Sequence, residues 1–341
     1  MSVSEFPSWL MPSFSSLVQR LCSGTLPHAL LLTGQKGIGK QRFAEALMRA
    51  VCCEEPDKEG FACQQCRSCQ LINAGSHPDV KSINPVETGK IISIDQIRAL
   101  NQYVLLKAQL SGNKVAVISP AEKMNIASSN SLLKTLEEPP AHSLLILVTD
   151  RPAMLPATIR SRCQNITLSK PSVDVGTQWL KTYIDSPKDH LELLLALTDG
   201  APFEARKLAD NELLKHRDKM LSDLEGLIRG QNDPVSIAEA WLKVSMSDSL
   251  YWLQRWVEDL IRLKSSENLP DIANSDVRER LQRVGLLWNL KSLFSFYDQL
   301  CETIRLCETS CNPQMLLEDL LIFWTHRKSA VIAWSQIALR F

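Results

Sequence analysis

The chain has 341 residues and carries 38 basic and 38 acidic side chains. That length suits two or three domains, and the even balance excludes a surface dominated by one sign of charge, so any grip on DNA is local or shared with partners. No run reaches the roughly 18–20 apolar residues that cross a bilayer, and Met1–Leu10 lacks the charged-then-apolar order of a secretory signal; a cytoplasmic protein without membrane contact is expected.

In chain order, Ala29–Thr33 is an apolar run of buried-strand type, followed by the glycine loop Gly34–Gly39 and a helical pattern over Arg42–Val51. Strand, loop and helix in that order make a phosphate cradle: backbone amides and a helix N-terminus face the anion, and a lysine reaches its outer oxygens. Gly34, Gly37, Gly39 and Lys40 supply these parts. The next position should carry a hydroxyl for magnesium, but Gln41 stands there, and an amide on a longer stem fits an octahedral shell poorly. The loop therefore reads as degenerate, with nucleotide binding without hydrolysis left open.

Cys53, Cys63, Cys66 and Cys69 follow, four of ten cysteines within one short stretch. Two-residue gaps let successive thiolates converge on one tetrahedral zinc ion, and four filled positions make a structural site. Cys52 adjoins Cys53 and stays open as its substitute. Cys22, Cys163, Cys301, Cys307 and Cys311 are scattered and read as small core residues.

Val80–Ile83 is the next strand. Asp95 is placed to cap a helix over Gln96–Leu106, and the strand Lys114–Ile118 runs into Ser119-Pro120-Ala121-Glu122. A hydrolysing phosphate-loop protein ends this strand in acidic residues that hold magnesium and polarise water. Here serine and proline stand in their place, and Glu122, set beyond them, reads as a solvated loop charge. Ile126–Leu136 has helical spacing up to Pro139-Pro140, and Leu144–Val148 is a fourth strand. Strands alternating with helices imply a parallel sheet covered on both faces.

Beyond about Thr167 only helical spacing remains, in Leu191–Leu197, Ser249–Lys264, Gly285–Leu306 and Pro313–Trp324. Leu253, Trp256, Val257, Leu260 and Ile261 form one stripe. Most tryptophans lie beyond Lys170 and are expected to fill helix–helix cores.

Taken together, the phosphate loop with a cysteine insertion behind its helix, His77-Pro78-Asp79, Asn130-Ser-Leu-Leu-Lys-Thr-Leu-Glu-Glu-Pro-Pro140 and Thr158-Ile-Arg-Ser-Arg-Cys163 resemble the bacterial clamp-loader AAA+ subunits of DNA polymerase III. The resemblance is close over the first half of the chain, and Asn312–Leu321 resembles the last collar helix of the delta-prime branch. Gln41, Ser119-Pro120 and Phe203, which falls where motor subunits carry a phosphate-sensing arginine, place the sequence with that branch rather than with the gamma/tau motors; Arg206 lies one turn on.

The resemblance implies an α/β RecA-like AAA+ domain with a zinc module (residues 1–166, module 53–69), an all-α lid (167–210) and an all-α C-terminal collar (211–341). It implies a subunit with no ATPase activity of its own, in a hetero-pentameric ring with gamma/tau and delta subunits that loads the sliding clamp onto primed DNA. Arg162, flanked by Ser161 and Cys163, would enter the neighbouring subunit's ATP site. A permanently charged planar fork suits that role; without the surrounding motif, Arg160 or Arg162 would read as an ordinary surface arginine. His77 reads as a turn or packing residue, and Glu137-Glu138 as a solvated helix end or part of an interface. Two other readings compete: an active gamma/tau-like ATPase, and an autonomous zinc-dependent DNA-binding module.

Overall fold

The computed structural model describes residues 6–338 apart from 88, 89, 111, 210, 267, 269 and 308–310, and of these the side chains to residue 325 except that of 211. Asp210, where the lid was expected to end, lies outside the described residues, as does the Trp334 side chain. The chain forms two compact units, Met1–Thr182 with Gly200–Glu204, and Tyr183–Asp199 with Ala205–Phe341.

The first unit is built on five parallel strands in the order β2-β3-β4-β1-β5: β1 (Ala29–Thr33), β2 (Val80–Ile83), β3 (Lys114–Ile118), β4 (Ser143–Val148) and β5 (Gln164–Thr167). The first four coincide with the expected strands. The fifth was not read from sequence, because Gln164-Asn-Ile-Thr167 is polar and half exposed at the sheet edge and so lacks a buried-strand signature. Alternate residues of the central strands feed two cores. Leu30, Leu32, Val115, Val117, Leu144, Ile146 and Val148 meet α1 (Met11–Cys22) and α2 (Lys40–Cys52). Ala29, Leu31, Ala116, Ile118, Leu145 and Leu147 meet α4 (Ile94–Leu105), α5 (Ile126–Glu137) and α6 (Ala157–Arg160) on the other face. Both faces are covered, so the central strands β1, β3 and β4 are apolar along most of their length. The short α3 (Arg67–Asn73) closes the cysteine module.

One cap differs from expectation. Ser93, not Asp95, opens α4: its hydroxyl accepts the Gln96 N–H at 3.3 Å while the Gln96 side chain accepts the Ser93 N–H at 2.9 Å. This reciprocal box satisfies two free amides, and Asp95 becomes a first-turn acid that suits the helix dipole. A further helix, α7 (Val173–Lys181), completes the unit.

The second unit is helical throughout: α8 (Lys188–Leu197), most of α9 (Pro202–Leu208), α10 (Asn211–Arg229), α11 (Pro234–Val244), α12 (Met246–Ser265), α13 (Arg278–Gly285), α14 (Leu290–Leu306) and α15 (Pro313–Ala338). The expected run Gly285–Leu306 is broken after Gly285 and restarts where Asn289 caps α14 through the Ser292 N–H at 2.8 Å. Trp241, Trp252, Trp256, Trp288 and Trp324 are buried between helices, as the spacing predicts. Ile261 is only half-buried at the edge of its stripe. Inside the unit, Arg217 is buried and clamps Asp276 with both terminal nitrogens, at 2.7 and 2.9 Å. It also donates to Asn274, which donates in turn to the buried Asp259 at 2.7 Å. The charge is thus shared across a connected hydrogen-bond network.

Candidate phosphate loop, metal centre and arginine site

The loop after β1 has the shape the sequence requires. Gly37 and Gly39 take φ of +78° and +100°, values that a side chain resists. A Cβ on Gly37 would strike the Glu204 side chain, and one on Gly39 the Phe203 ring. The cradle is therefore covered by residues of its own unit. Phe203 donates its N–H to the Gly37 carbonyl at 3.0 Å and packs at a tilt against Trp179 (ring centroids 4.7 Å apart), while Trp9 donates its indole N–H to the Ile38 carbonyl at 3.0 Å. Glu204 pairs with Lys36 at 3.6 Å, so a carboxylate stands where a phosphate loop presents positive potential.

Lys40 is buried at 4 % exposure, and its ammonium is fully engaged: 2.7 Å from the Gly34 carbonyl, 2.5 Å from the Gln35 carbonyl and 2.5 Å from Asp150 Oδ1. Asp150 was not singled out from sequence. It follows β4, which pairs with β1, and a carboxylate just beyond a strand next to the loop strand was the available signal. Gln41 is exposed.

At the end of β3, Ser119 and Pro120 join through a cis peptide bond. Glu122 lies in a 3-10 turn (Ala121–Lys123) and is half-buried, with one carboxylate oxygen buried and without a hydrogen-bond partner among the described residues. The expectation of a solvated charge is corrected: the tight turn after the proline tucks the side chain inward.

The sulfurs of Cys53, Cys63, Cys66 and Cys69 all lie within 4.8 Å of one another. A zinc–sulfur bond of about 2.3 Å gives tetrahedral sulfur–sulfur edges of about 3.8 Å, and the Cys53 and Cys69 sulfurs are 3.8 Å apart. Backbone N–H groups of Cys63, Cys66 and Cys69 donate to the sulfurs of Cys53, Cys63 and Cys66 at 3.2, 3.3 and 3.4 Å, an arrangement that stabilises thiolates. The Cys66 and Gln65 amides draw the Cys63 thiol down to about 7, whereas burial pushes the Cys53 and Cys69 thiols up. The donor set therefore fits a metal ion that supplies compensating charge. Cys52 lies in the core beneath, its carbonyl accepting from the Ser68 hydroxyl at 2.7 Å, so the group is completed by Cys53.

His77 is outside that group, as expected, and its role is structural. Its Nδ1 accepts the Asp79 N–H at 3.0 Å, so the proton sits on Nε2 and is donated to Ser68 Oγ at 2.6 Å. Asp79 is fully buried and receives the Gln109 and Leu110 amides at 2.8 and 2.7 Å, with Lys114 at 3.4 Å. His77-Pro78-Asp79 thus ties α3 to β2 and to the turn before β3. Burial holds the His77 imidazole below its ordinary range, with Asp79 opposing and Lys114 adding to the shift.

Arg162 lies in the turn between α6 and β5. Its Nη1 donates to the Thr158 carbonyl at 3.0 Å, and its Nη2 is 2.5 Å from Oε1 of Glu137, the last residue of α5. Ser161 is exposed, Arg160 is exposed, and Cys163 is buried in the sheet core with its thiol pushed up to about 11. Arg206 stacks its guanidinium 4.0 Å from the Tyr183 ring. No helix among the described residues is long and apolar enough to cross a membrane.

Comparison with known proteins agrees with this geometry. A family model described as DNA polymerase III, delta subunit, matches residues 11–172, and one described as its C-terminal domain matches residues 211–326. DNA polymerase III subunit delta' of Pseudomonas aeruginosa is 34 % identical over 300 residues, covering 87 % of this chain and 91 % of the relative. The corresponding subunit of Escherichia coli is 30 % identical over 320 residues, covering 93 % and 95 %. In fold, the chain is similar to the crystal structure of a DNA polymerase III gamma subunit-related protein of Thermotoga maritima, with a TM-score of 0.50 at 19 % identity over 93 % of this chain and 99 % of that one. Sequence identity across nearly the full length, a phosphate loop on a five-stranded parallel sheet and a helical C-terminal region converge: the chain belongs to the family of DNA polymerase III delta-prime subunits.

Proposed function

We propose that the chain is a non-hydrolysing subunit of the DNA polymerase III clamp loader, which lends Arg162 to the ATP site of a gamma/tau neighbour. The observation that carries the first half is the state of Lys40. Its ammonium is satisfied by Gly34, Gln35 and Asp150, and an incoming phosphate would have to break those contacts and displace Glu204 and Phe203 from above the loop. Gln41 offers no magnesium hydroxyl, and Ser119-Pro120 no metal-binding carboxylate. An active gamma/tau-like ATPase would need each of these groups, and this chain lacks them.

The second half rests on Arg162 being half exposed in the turn that follows α6, able to deliver a planar cation to a phosphate outside its own subunit. Zinc on Cys53, Cys63, Cys66 and Cys69 would cross-link the module structurally. The working unit is a cytoplasmic hetero-pentamer with gamma/tau and delta, acting on the sliding clamp and primed DNA, with domains at 1–166, 167–210 and 211–341. A balanced charge of 38 against 38 favours shared over autonomous DNA binding.

The test is ATP turnover by the loader assembled with Arg162→Ala. Loss of clamp- and DNA-stimulated turnover, with assembly intact, supports the finger; unchanged turnover refutes it. Turnover by the purified chain alone, abolished by Lys40→Ala, would refute the non-hydrolysing assignment.

A further inference from the structure

Arg162 does not stand free. Nη1 donates to the Thr158 carbonyl and lies 3.4 Å from Ser161 Oγ, while Nη2 is held by Glu137. Nη1 and Nη2 form the distal edge of the guanidinium, the edge that grips two oxygens of a phosphate at once. One nitrogen of that edge is committed to a backbone carbonyl and the other to a carboxylate. A phosphate approaching the arginine end-on would therefore compete with Glu137 for Nη2.

The pair is also placed for exchange rather than for stability. Its side chains are 34 % and 48 % exposed, so water screens the attraction and either partner can leave at little cost. Glu137 is the last residue of α5, ahead of Glu138-Pro139-Pro140, and α5 packs on α6, the helix that carries Thr158. The position of the carboxylate is thus fixed by two packed helices, and the arginine is held at both nitrogens without being buried.

We propose that Glu137 is a positioning residue for Arg162: it holds the guanidinium in a standby geometry and competes with the neighbour's phosphate until assembly on clamp and DNA draws the arginine away. This rests on the trans-finger reading above. Its consequence is a loader that turns over slowly when idle, because the finger has another acceptor at hand.

The experiment uses the complete loader assembled with gamma/tau and delta, and measures ATP turnover with and without clamp and primed DNA. Glu137→Gln keeps the shape and removes the charge. Idle turnover should rise about two- to fivefold, the range that a half-exposed ion pair spans, with stimulated turnover nearly unchanged, so the stimulation ratio falls. In an Arg162→Ala background, Glu137→Gln should have no effect on either rate. An unchanged ratio, an equal loss in both conditions, or an effect that persists without Arg162 would overturn the proposal, since a purely structural glutamate gives one of these. If Arg162→Ala abolishes stimulation while Glu137→Gln is silent, only the standby role fails. If Arg162→Ala is itself silent, the finger reading fails.

Discussion

The ammonium of Lys40 and the carboxylate of Asp150 are 2.5 Å apart, joining the helix that follows β1 to the segment that follows β4. In a phosphate loop built for catalysis, this lysine is the group that meets the ligand. Here it closes a contact within the protein. Asp150→Ala should leave the buried cation with only two carbonyl acceptors and destabilise the chain by about 1–3 kcal/mol, read from urea unfolding. Lys40→Met should cost less, because it removes the charge that needs partners and keeps the apolar stem.

Metal removal should act on the module of residues 53–69. Elemental analysis of the purified chain is expected to find zinc in a one-to-one ratio, and Cys66→Ser to abolish it. Chelation should lower the melting temperature and open the module to proteolysis while β1, β3 and β4 stay protected, because the four sulfurs gather the module and Phe61 alone stacks on Phe14 of the core, whereas apolar packing holds the sheet throughout. Retention of full stability after complete metal removal would contradict a structural ion.

Acid should weaken the first unit through His77. Its folded pKa lies below the ordinary 6.5 because the ring is buried. Between that depressed value and 6.5 the unfolded chain binds the proton and the folded chain does not, so stability rises with pH across the window and falls as pH drops below about 6.5. Protonation would also set an Nδ1 proton against the Asp79 N–H. The slope of unfolding free energy between pH 6.5 and 5 should be shallower in His77→Asn, which retains polar character without titrating there.

In the helical unit, Arg217→Met should cost about 3–5 kcal/mol, because the Asp276 and Asn274 acceptors and the buried Asp259 behind them lose the cation that neutralises them. Replacement of Arg217 together with Asp276 by apolar residues should recover part of that loss. Equal destabilisation by the single and double changes would show that Asp276 does not matter to the network.

Much of this architecture was legible because burial and period coincide. β1, β3 and β4 are apolar on both faces and announce themselves, and the cysteine spacing specifies convergence before any fold is known. β5 was not legible: Gln164 and Asn165 are exposed at a sheet edge, where polar side chains are tolerated (Asn165 accepts the Thr33 hydroxyl at 2.9 Å) and no apolar run is needed. Ser93 was passed over for Asp95 because both can cap a helix, and the choice depends on whether Gln96 can reach back, which only the folded chain decides. Asp150, and the pairing of Glu137 with Arg162, escaped for a shared reason. Each carboxylate pairs with a residue distant in sequence, at separations of 110 and 25 positions, and pairing over such distances leaves no local pattern.

The contacts of Lys40 carry a wider consequence. A cavity completed by its owner's side chains gains no stability from mass action, so raising ATP should leave the melting curve of this chain where it was, unlike that of a protein whose native state must recruit a nucleotide. If the chain works as proposed, the shape at the tip of β1 is written into the polypeptide and does not follow the cell's energy charge, and it would offer ATP-driven neighbours a constant surface against which their movements can be resolved.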